Sequence, residues 1–197
     1  MADRRDSVKS ALVVIDVQND FCEGGVLAAQ FTSTLIDPLN LLVEMCTAAE
    51  LSVIFTRDWH PPDHNSFLSQ GGPWPPHCVW NTHGAAFGTG LRVAPTAIVI
   101  DKGVARADDG YSMFDRTSLT DTLTHLGVSE LAVCGIAAEY CVLASVRDAR
   151  HRGFRTIVLE DLVRPIDMRP GDSQRALREM QNAGAELSRS DRWMGRR

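Results

Sequence analysis

The chain has 197 residues, of which 44% are hydrophobic and 23% are charged, and this globular composition excludes a disordered or fibrous protein. Lys and Arg number 20 against 25 Asp and Glu, a formal net charge of −5, and no basic stripe is present. We therefore expect no nucleic-acid partner, and no apolar run approaches the ~20 residues that a membrane-spanning helix needs.

The length predicts one compact domain over residues 1–197. Residues 1–10 lack the apolar run of a secretory signal, so we expect none. The five cysteines are sparse, irregularly spaced and odd in number, which argues against a disulfide framework. These features predict a cytoplasmic protein. No heptad or apolar patch decides the oligomeric state, so a homo-oligomer stays open.

Short apolar runs alternate with helical patterns along the chain. The runs predict strands at 11–17, 52–58, 97–101, 131–136 and 156–161, with an edge strand at 185–188. Helices are predicted after Asp37-Pro38, from a capping box at Ser118-x-x-Asp121, over about 140–152, and over 173–183. This alternation predicts a doubly wound α/β fold of three layers (α/β/α) with a mostly parallel sheet.

Chemically active side chains follow the predicted strands. In open parallel sheets, ligands bind outside the carboxyl ends of the strands. The residues that end or follow the first four predicted strands at this edge are Asp16, Asp58 with His60, Lys102, and Cys141. The sequence therefore predicts that an acid, an Asp/His pair, a lysine and a cysteine meet at one place.

Cys141 opens a predicted helix, where the helix dipole and a nearby lysine both lower the pKa of a thiol. The alternative is a buried core cysteine, which is the interpretation favoured for Cys22, Cys46 and Cys134. Lys102 directly follows a buried strand and needs an anionic partner, for which Asp16 and Cys141 are candidates. Its alternative is a lysine that snorkels to solvent.

Asp58 and His60 lie on one side of an extended segment, and His77 follows in the motif WPPH. One carboxylate and two imidazoles suit Zn²⁺, Fe²⁺ or Mn²⁺, and three protein ligands leave coordination positions open for a substrate. His64 is a candidate fourth ligand or supports a ligand. Most D-x-H pairs only form hydrogen bonds, so the pair alone is a weak signal.

Five motifs carry a resemblance that runs from Ala11 to about Leu187. They are DVQNDFCEGG (16–25), TRDWHPPDHNSF (56–67), GGPWPPHC (71–78), DKG (101–103) and GIAAEYC (135–141). In these motifs the chain resembles the nicotinamidase/pyrazinamidase branch of the isochorismatase-like cysteine hydrolases. The Asp, Lys and Cys set marks only the superfamily, whereas the DWHPxxHxSF and WPxHC stretches are specific to this branch.

The resemblance implies a catalytic triad. Cys141 is the expected nucleophile, Asp16 the general acid/base, and Lys102 the cation that holds them together. A cis peptide bond is expected before Ala137, and the Ala137 and Cys141 N–H groups are expected to form an oxyanion hole. The implied reaction converts nicotinamide, and also pyrazinamide, to the acid and ammonia through a thioester, as part of NAD salvage.

The resemblance also implies a cofactor and a substrate pocket. Asp58, His60 and His77 are expected to bind one divalent metal ion, with zinc favoured over iron and manganese. The aromatic residues expected to hold the flat pyridine carboxamide are Phe21, Trp74 and Tyr111, each of which has core packing as its alternative. The rival function is that of a relative acting on carbamoyl or aliphatic amides, and a metal-stabilised binding module is a second rival.

Overall fold

The computed structural model of the protein describes residues 8–197. Six strands form one fully parallel sheet in the order β3-β2-β1-β4-β5-β6. The strands are β1 (Ser10–Ile15), β2 (Ser52–Asp58), β3 (Ile98–Lys102), β4 (Glu130–Ile136), β5 (Arg155–Arg164) and β6 (Glu186–Ser188). The helices are α1 (Ile36–Ala48), α2 (Leu119–His125), α3 (Leu143–His151), α4 (Asp172–Asn182) and α5 (Ser190–Met194).

Helices cover both faces of the sheet, as the residues of β1 show. Leu12 and Val14 belong to a core cluster shared with α1 and with Trp193 of α5. Val13 and Ile15, which alternate with them, belong to a second cluster shared with α2, α3 and α4. The predicted three-layer, doubly wound fold is therefore confirmed.

Local details differ from the sequence predictions at several helix starts. α1 begins at Ile36, so Asp37 lies inside the helix rather than capping it. The side chain of Ser118 makes no capping hydrogen bond to α2. The predicted helix over 140–152 begins instead as a π-helical turn, Ala138–Val142, which leads into α3. Neither α5 nor the π-helical turn was predicted.

The strand order reverses between β1 and β4, which are neighbours in the sheet. From β1 the chain runs outward to β2 and β3, whereas from β4 it runs the other way to β5 and β6. Such a switch point opens a crevice at the carboxyl ends of the two central strands. It is the place where the predicted site residues should meet.

Gly135 allows β4 to approach β1 next to this crevice. It is paired with Ile15 and has a φ of +117°, a conformation that disfavours any side chain. A Cβ atom at this position would lie 2.1 Å from the carbonyl oxygen of Ile15. Only glycine therefore fits beside the strand end that carries Asp16.

Replacing Gly135 by Ala should lower the free energy of unfolding by about 4 kcal/mol or more, because strain and overpacking add. Urea unfolding measures the loss. Gly127→Ala is the matched control, since Gly127 also has a positive φ, +68°, but nothing lies within 4 Å of its added Cβ. The control should lose about 1 to 2 kcal/mol. Equal losses in the two variants would show that the close approach to Ile15 is unimportant.

Among the helices of residues 8–197, none has the length and apolar character needed to cross a bilayer. Most of the N-terminal segment that was expected to lack a secretory signal lies outside the described residues. The organisation of residues 1–197 as one domain stays a prediction.

Candidate active site

The ammonium group of Lys102 lies at the centre of the crevice and is surrounded by acceptors. Its Nζ atom is 2.7 Å from Oδ2 of Asp16 and 3.3 Å from Sγ of Cys141. It also donates to Oδ1 of Asp58 and, at 2.6 Å, to the carbonyl oxygen of Gly110. Lys102 is only 1% exposed, so it is a paired, buried cation and not a lysine that snorkels to solvent.

Asp16 follows β1 and is fully buried, with a left-handed φ of +48°. Thr56 holds it in two ways: its hydroxyl donates to Oδ1 at 2.7 Å, and its carbonyl accepts from the Asp16 N–H at 3.2 Å. Burial raises the pKa of the Asp16 carboxyl above its usual value, although Lys102 opposes the rise. A carboxyl with a raised pKa is suited to accept and return a proton.

Asp58 ends β2 and contacts Lys102 from the other side. Burial favours its neutral form, but the charge of Lys102, with a smaller contribution from His60, outweighs burial and holds its pKa well below the usual range. The pKa values of Asp16 and Asp58 are thus pushed in opposite directions beside the same ammonium group. Such a separation makes one carboxyl suited to proton transfer and the other suited to a permanent negative charge.

Cys141 is buried in the π-helical turn, with its Sγ within 4.8 Å of a carboxylate oxygen of Asp16 and of Asp58. Burial raises the pKa of the Cys141 thiol well above its usual value, and Lys102 opposes this rise only in part. The expectation that the helix start and Lys102 give a low thiol pKa is therefore wrong for this environment. A thiol with a raised pKa needs a base that accepts its proton as it reacts.

Ala137 lies between β4 and the π-helical turn, and its peptide bond with Ile136 is cis, as the resemblance implies. Ala137 and Cys141 both line a small cavity beside the triad. Their backbone N–H groups thus belong to segments that border the space a substrate would fill. The oxyanion role of these two groups stays a prediction.

Asp58, His60 and His77 are buried and bring their ligand atoms within 4.8 Å of one another. Nδ1 of His60 lies 2.9 Å from the carbonyl oxygen of Gly103, and Nδ1 of His77 lies 2.8 Å from that of Pro75. A carbonyl only accepts, so each Nδ1 must carry the proton and each Nε2 keeps its lone pair for a metal. The residues therefore fit a divalent metal ion.

His64 is fully buried and stacks on His60 with 4.0 Å between ring centroids. Its Nδ1 is 2.7 Å from the hydroxyl of Ser66, and its Nε2 has no hydrogen-bond partner among the described residues. It lies outside the set of three converging ligands. Its direct coordination of a metal stays a prediction.

The cavity beside Cys141 is small and mostly apolar. The three predicted aromatic residues all line it, and Nε1 of Trp74 donates to the hydroxyl of Tyr111 at 2.8 Å. Asp58 and His77 of the metal set reach the same space. The full lining consists of Phe21, Leu27, Asp58, Trp74, His77, Tyr111, Ala137, Tyr140, Cys141 and Ile166.

Comparison with known proteins agrees with this geometry. The isochorismatase domain matches residues 10–192, which is nearly the whole chain. The chain belongs to the isochorismatase family. The chain is 38% identical to the nicotinamidase of Escherichia coli (strain K12) over 198 residues, covering 90% of this chain and 93% of that protein.

Two solved structures of this family share the fold closely. The pyrazinamidase of Pyrococcus horikoshii in complex with zinc has a TM-score of 0.87 and 38% identity, covering 92% of this chain and 99% of that chain. PnC1 from L. infantum in complex with nicotinate has a TM-score of 0.84 and 33% identity, covering 93% of this chain and 94% of that chain.

Sequence reasoning missed several contributors to this isochorismatase-family site. Tyr140 lines the cavity, packing edge-on against Trp74 with 5.0 Å between ring centroids, and its place next to Cys141 could have indicated this. Leu27 and Ile166 line the cavity from loops that carry no pattern. Thr56, which supports Asp16, looked like an ordinary strand residue.

Replacing Lys102 by Met should lower the free energy of unfolding at pH 7 by about 3 to 5 kcal/mol, because two buried carboxyl groups lose their cation. Urea unfolding checks this. Arg106→Met is the control: Arg106 is an exposed cation 3.6 Å from Asp63, and its loss should cost under about 0.5 kcal/mol. If the Lys102 variant were as stable as the wild type, Lys102 would not be needed to offset the two buried carboxyl groups.

Proposed function

We propose that the chain is a nicotinamidase that hydrolyses nicotinamide, and also pyrazinamide, to the carboxylic acid and ammonia. The observation that carries this is one cavity that is lined by aromatic rings, by Cys141 of the Cys-Lys-Asp cluster, and by Asp58 and His77 of the metal-ligand set. The similarity to the nicotinamidase of E. coli and to the pyrazinamidase of P. horikoshii supports the same substrates. In a cell this reaction serves NAD salvage.

The reaction begins when Sγ of Cys141 attacks the carboxamide carbon and Asp16 accepts the thiol proton. A C–S bond forms, and the carbonyl π electrons move to the oxygen. The N–H groups of Ala137 and Cys141 stabilise this oxyanion, and each such donor is worth about 3 kcal/mol in the transition state. Lys102 transfers no proton but keeps the carboxylate and the sulfur in place.

Asp16 then returns the proton to the amide nitrogen, the C–N bond breaks, and ammonia leaves a thioester on Cys141. A water molecule attacks the thioester carbon and gives a proton to Asp16. The C–S bond breaks, the carboxylic acid leaves, and the proton on Asp16 returns to the sulfur. All atoms and charges of the resting site are thereby restored.

Asp58, His60 and His77 would hold the divalent metal ion, for which we propose zinc because the similar pyrazinamidase of P. horikoshii forms a complex with zinc. When bound, the metal supplies a Lewis-acidic contact for the pyridine nitrogen and orients the ring. The aromatic side chains of Phe21, Trp74 and Tyr111 pack on the flat ring. A homo-oligomeric state and a cytoplasmic location stay predictions.

The purified protein should release ammonia from nicotinamide and pyrazinamide far faster than from aliphatic amides or N-carbamoyl compounds. The reason is that a small aromatic cavity beside a metal set favours a flat, nitrogen-containing ring over a flexible chain. Steady-state ammonia release on a panel of these amides measures the preference. Turnover of the aliphatic or carbamoyl amides alone would support the rival function instead.

Removing the metal with a chelator should raise KM for nicotinamide by about tenfold or more, because the ring loses a ligand contact that orients it. Metal analysis of the same sample must verify the loss, and added zinc should restore KM. Unchanged kinetics in verified metal-free protein would contradict the role given to Asp58, His60 and His77.

A further inference from the structure

The segment between β5 and α4, residues 165–171, supplies one wall of the catalytic cavity. Ile166 lines the cavity together with Tyr140 and Cys141. The segment has no regular secondary structure, so its position depends on the contacts of its backbone. Contacts from other parts of the chain must therefore hold this wall beside the nucleophile.

Glu139, two residues before Cys141, makes the connection. Its Oε1 atom accepts the N–H of Ile166 at 3.0 Å and the N–H of Asp167 at 2.5 Å. These partners lie 27 and 28 residues away along the chain. A carboxylate that accepts two backbone N–H groups makes charge-assisted bonds, which are stronger than neutral ones.

Two further sets of hydrogen bonds hold residues 165–171 in place. Asp167 adopts a left-handed φ of +56°, and its carboxylate accepts the N–H and the hydroxyl of Ser173 at the start of α4. The N–H of Gln30 donates to the carbonyl of Pro165 at 2.8 Å. Of these ties, the Glu139 bonds are the ones that reach the segment carrying the nucleophile.

We propose that Glu139 is a positioning residue that holds Ile166 against the substrate ring. This inference rests on the proposed nicotinamidase function. Glu139 does not line the catalytic cavity, so it touches none of the reacting atoms. It borders a separate groove next to that cavity. Its loss should therefore weaken substrate binding and leave the chemical steps intact.

The test is steady-state kinetics on nicotinamide. Glu139→Ala should raise KM about tenfold and keep kcat within about threefold of wild type. Glu139→Gln, which keeps an acceptor oxygen of the same reach, should bring KM back to within about threefold of wild type. Glu179→Ala is the matched control, because Glu179 borders the same groove and pairs with Arg147 but its side chain forms no hydrogen bond or ion pair with residues 165–171.

A double-mutant cycle with Ile166→Ala decides whether the effect passes through the wall. Ile166→Ala alone should raise KM by a similar factor. The KM of the double variant should be no higher than that of the single variant with the higher KM. Wild-type KM in Glu139→Ala, a fall in kcat alone, or multiplied effects in the double variant would overturn the proposal. If Glu139→Ala does not fold, a wild-type KM in Ile166→Ala overturns it.

The wild-type control separates this inference from the proposed function. If the wild-type protein turns over nicotinamide and the variants have the same KM, only the role of Glu139 is refuted. Wild-type protein that does not turn over nicotinamide, with verified metal content, refutes both.

Discussion

The site depends on one buried ammonium group. Lys102 binds Asp16, Asp58 and the sulfur of Cys141 at once, in a place where water reaches almost none of its surface. An isolated charge there would be very costly, and so would two neighbouring carboxylates without a cation. The lysine stabilises the charged form of both carboxyl groups, but burial still raises the pKa of Asp16, whereas the pKa of Asp58 falls. One carboxyl can thus move a proton while the other stays charged for a metal.

The topology of the sheet explains why these groups meet. Asp16, Asp58 and Lys102 end or follow three adjacent parallel strands, and Cys141 comes just after the fourth, across the switch point. Glycine then permits the close packing that the geometry needs. A Cβ on Gly103 would lie 2.4 Å from the ring of His60, whose Nδ1 binds the Gly103 carbonyl. His60, a proposed metal ligand, is therefore oriented by the same strand end that carries the lysine.

Much of this arrangement could be predicted from the sequence because it follows from periodicity and topology. β2 was predicted with its observed bounds, and the residues at the strand ends converge as expected. What failed depends on packing that no local pattern encodes. Burial, rather than the helix start, dominates the thiol pKa of Cys141, and the π-helical turn around it replaced a regular helix start. Ile166 lines the cavity, and its backbone N–H is bound by Glu139, 27 residues away in the chain, a contact that no local pattern indicates.

The most direct test of the account is the rate of nicotinamide hydrolysis by Cys141→Ala, measured with the metal content of the same sample. The account predicts a loss of at least about 10⁴-fold in kcat with fold and metal content unchanged, because no other group in the site can form the thioester. Cys22→Ala, which removes a half-buried cysteine outside the catalytic cavity, should keep the wild-type rate. Hydrolysis at the wild-type rate by Cys141→Ala would contradict the account.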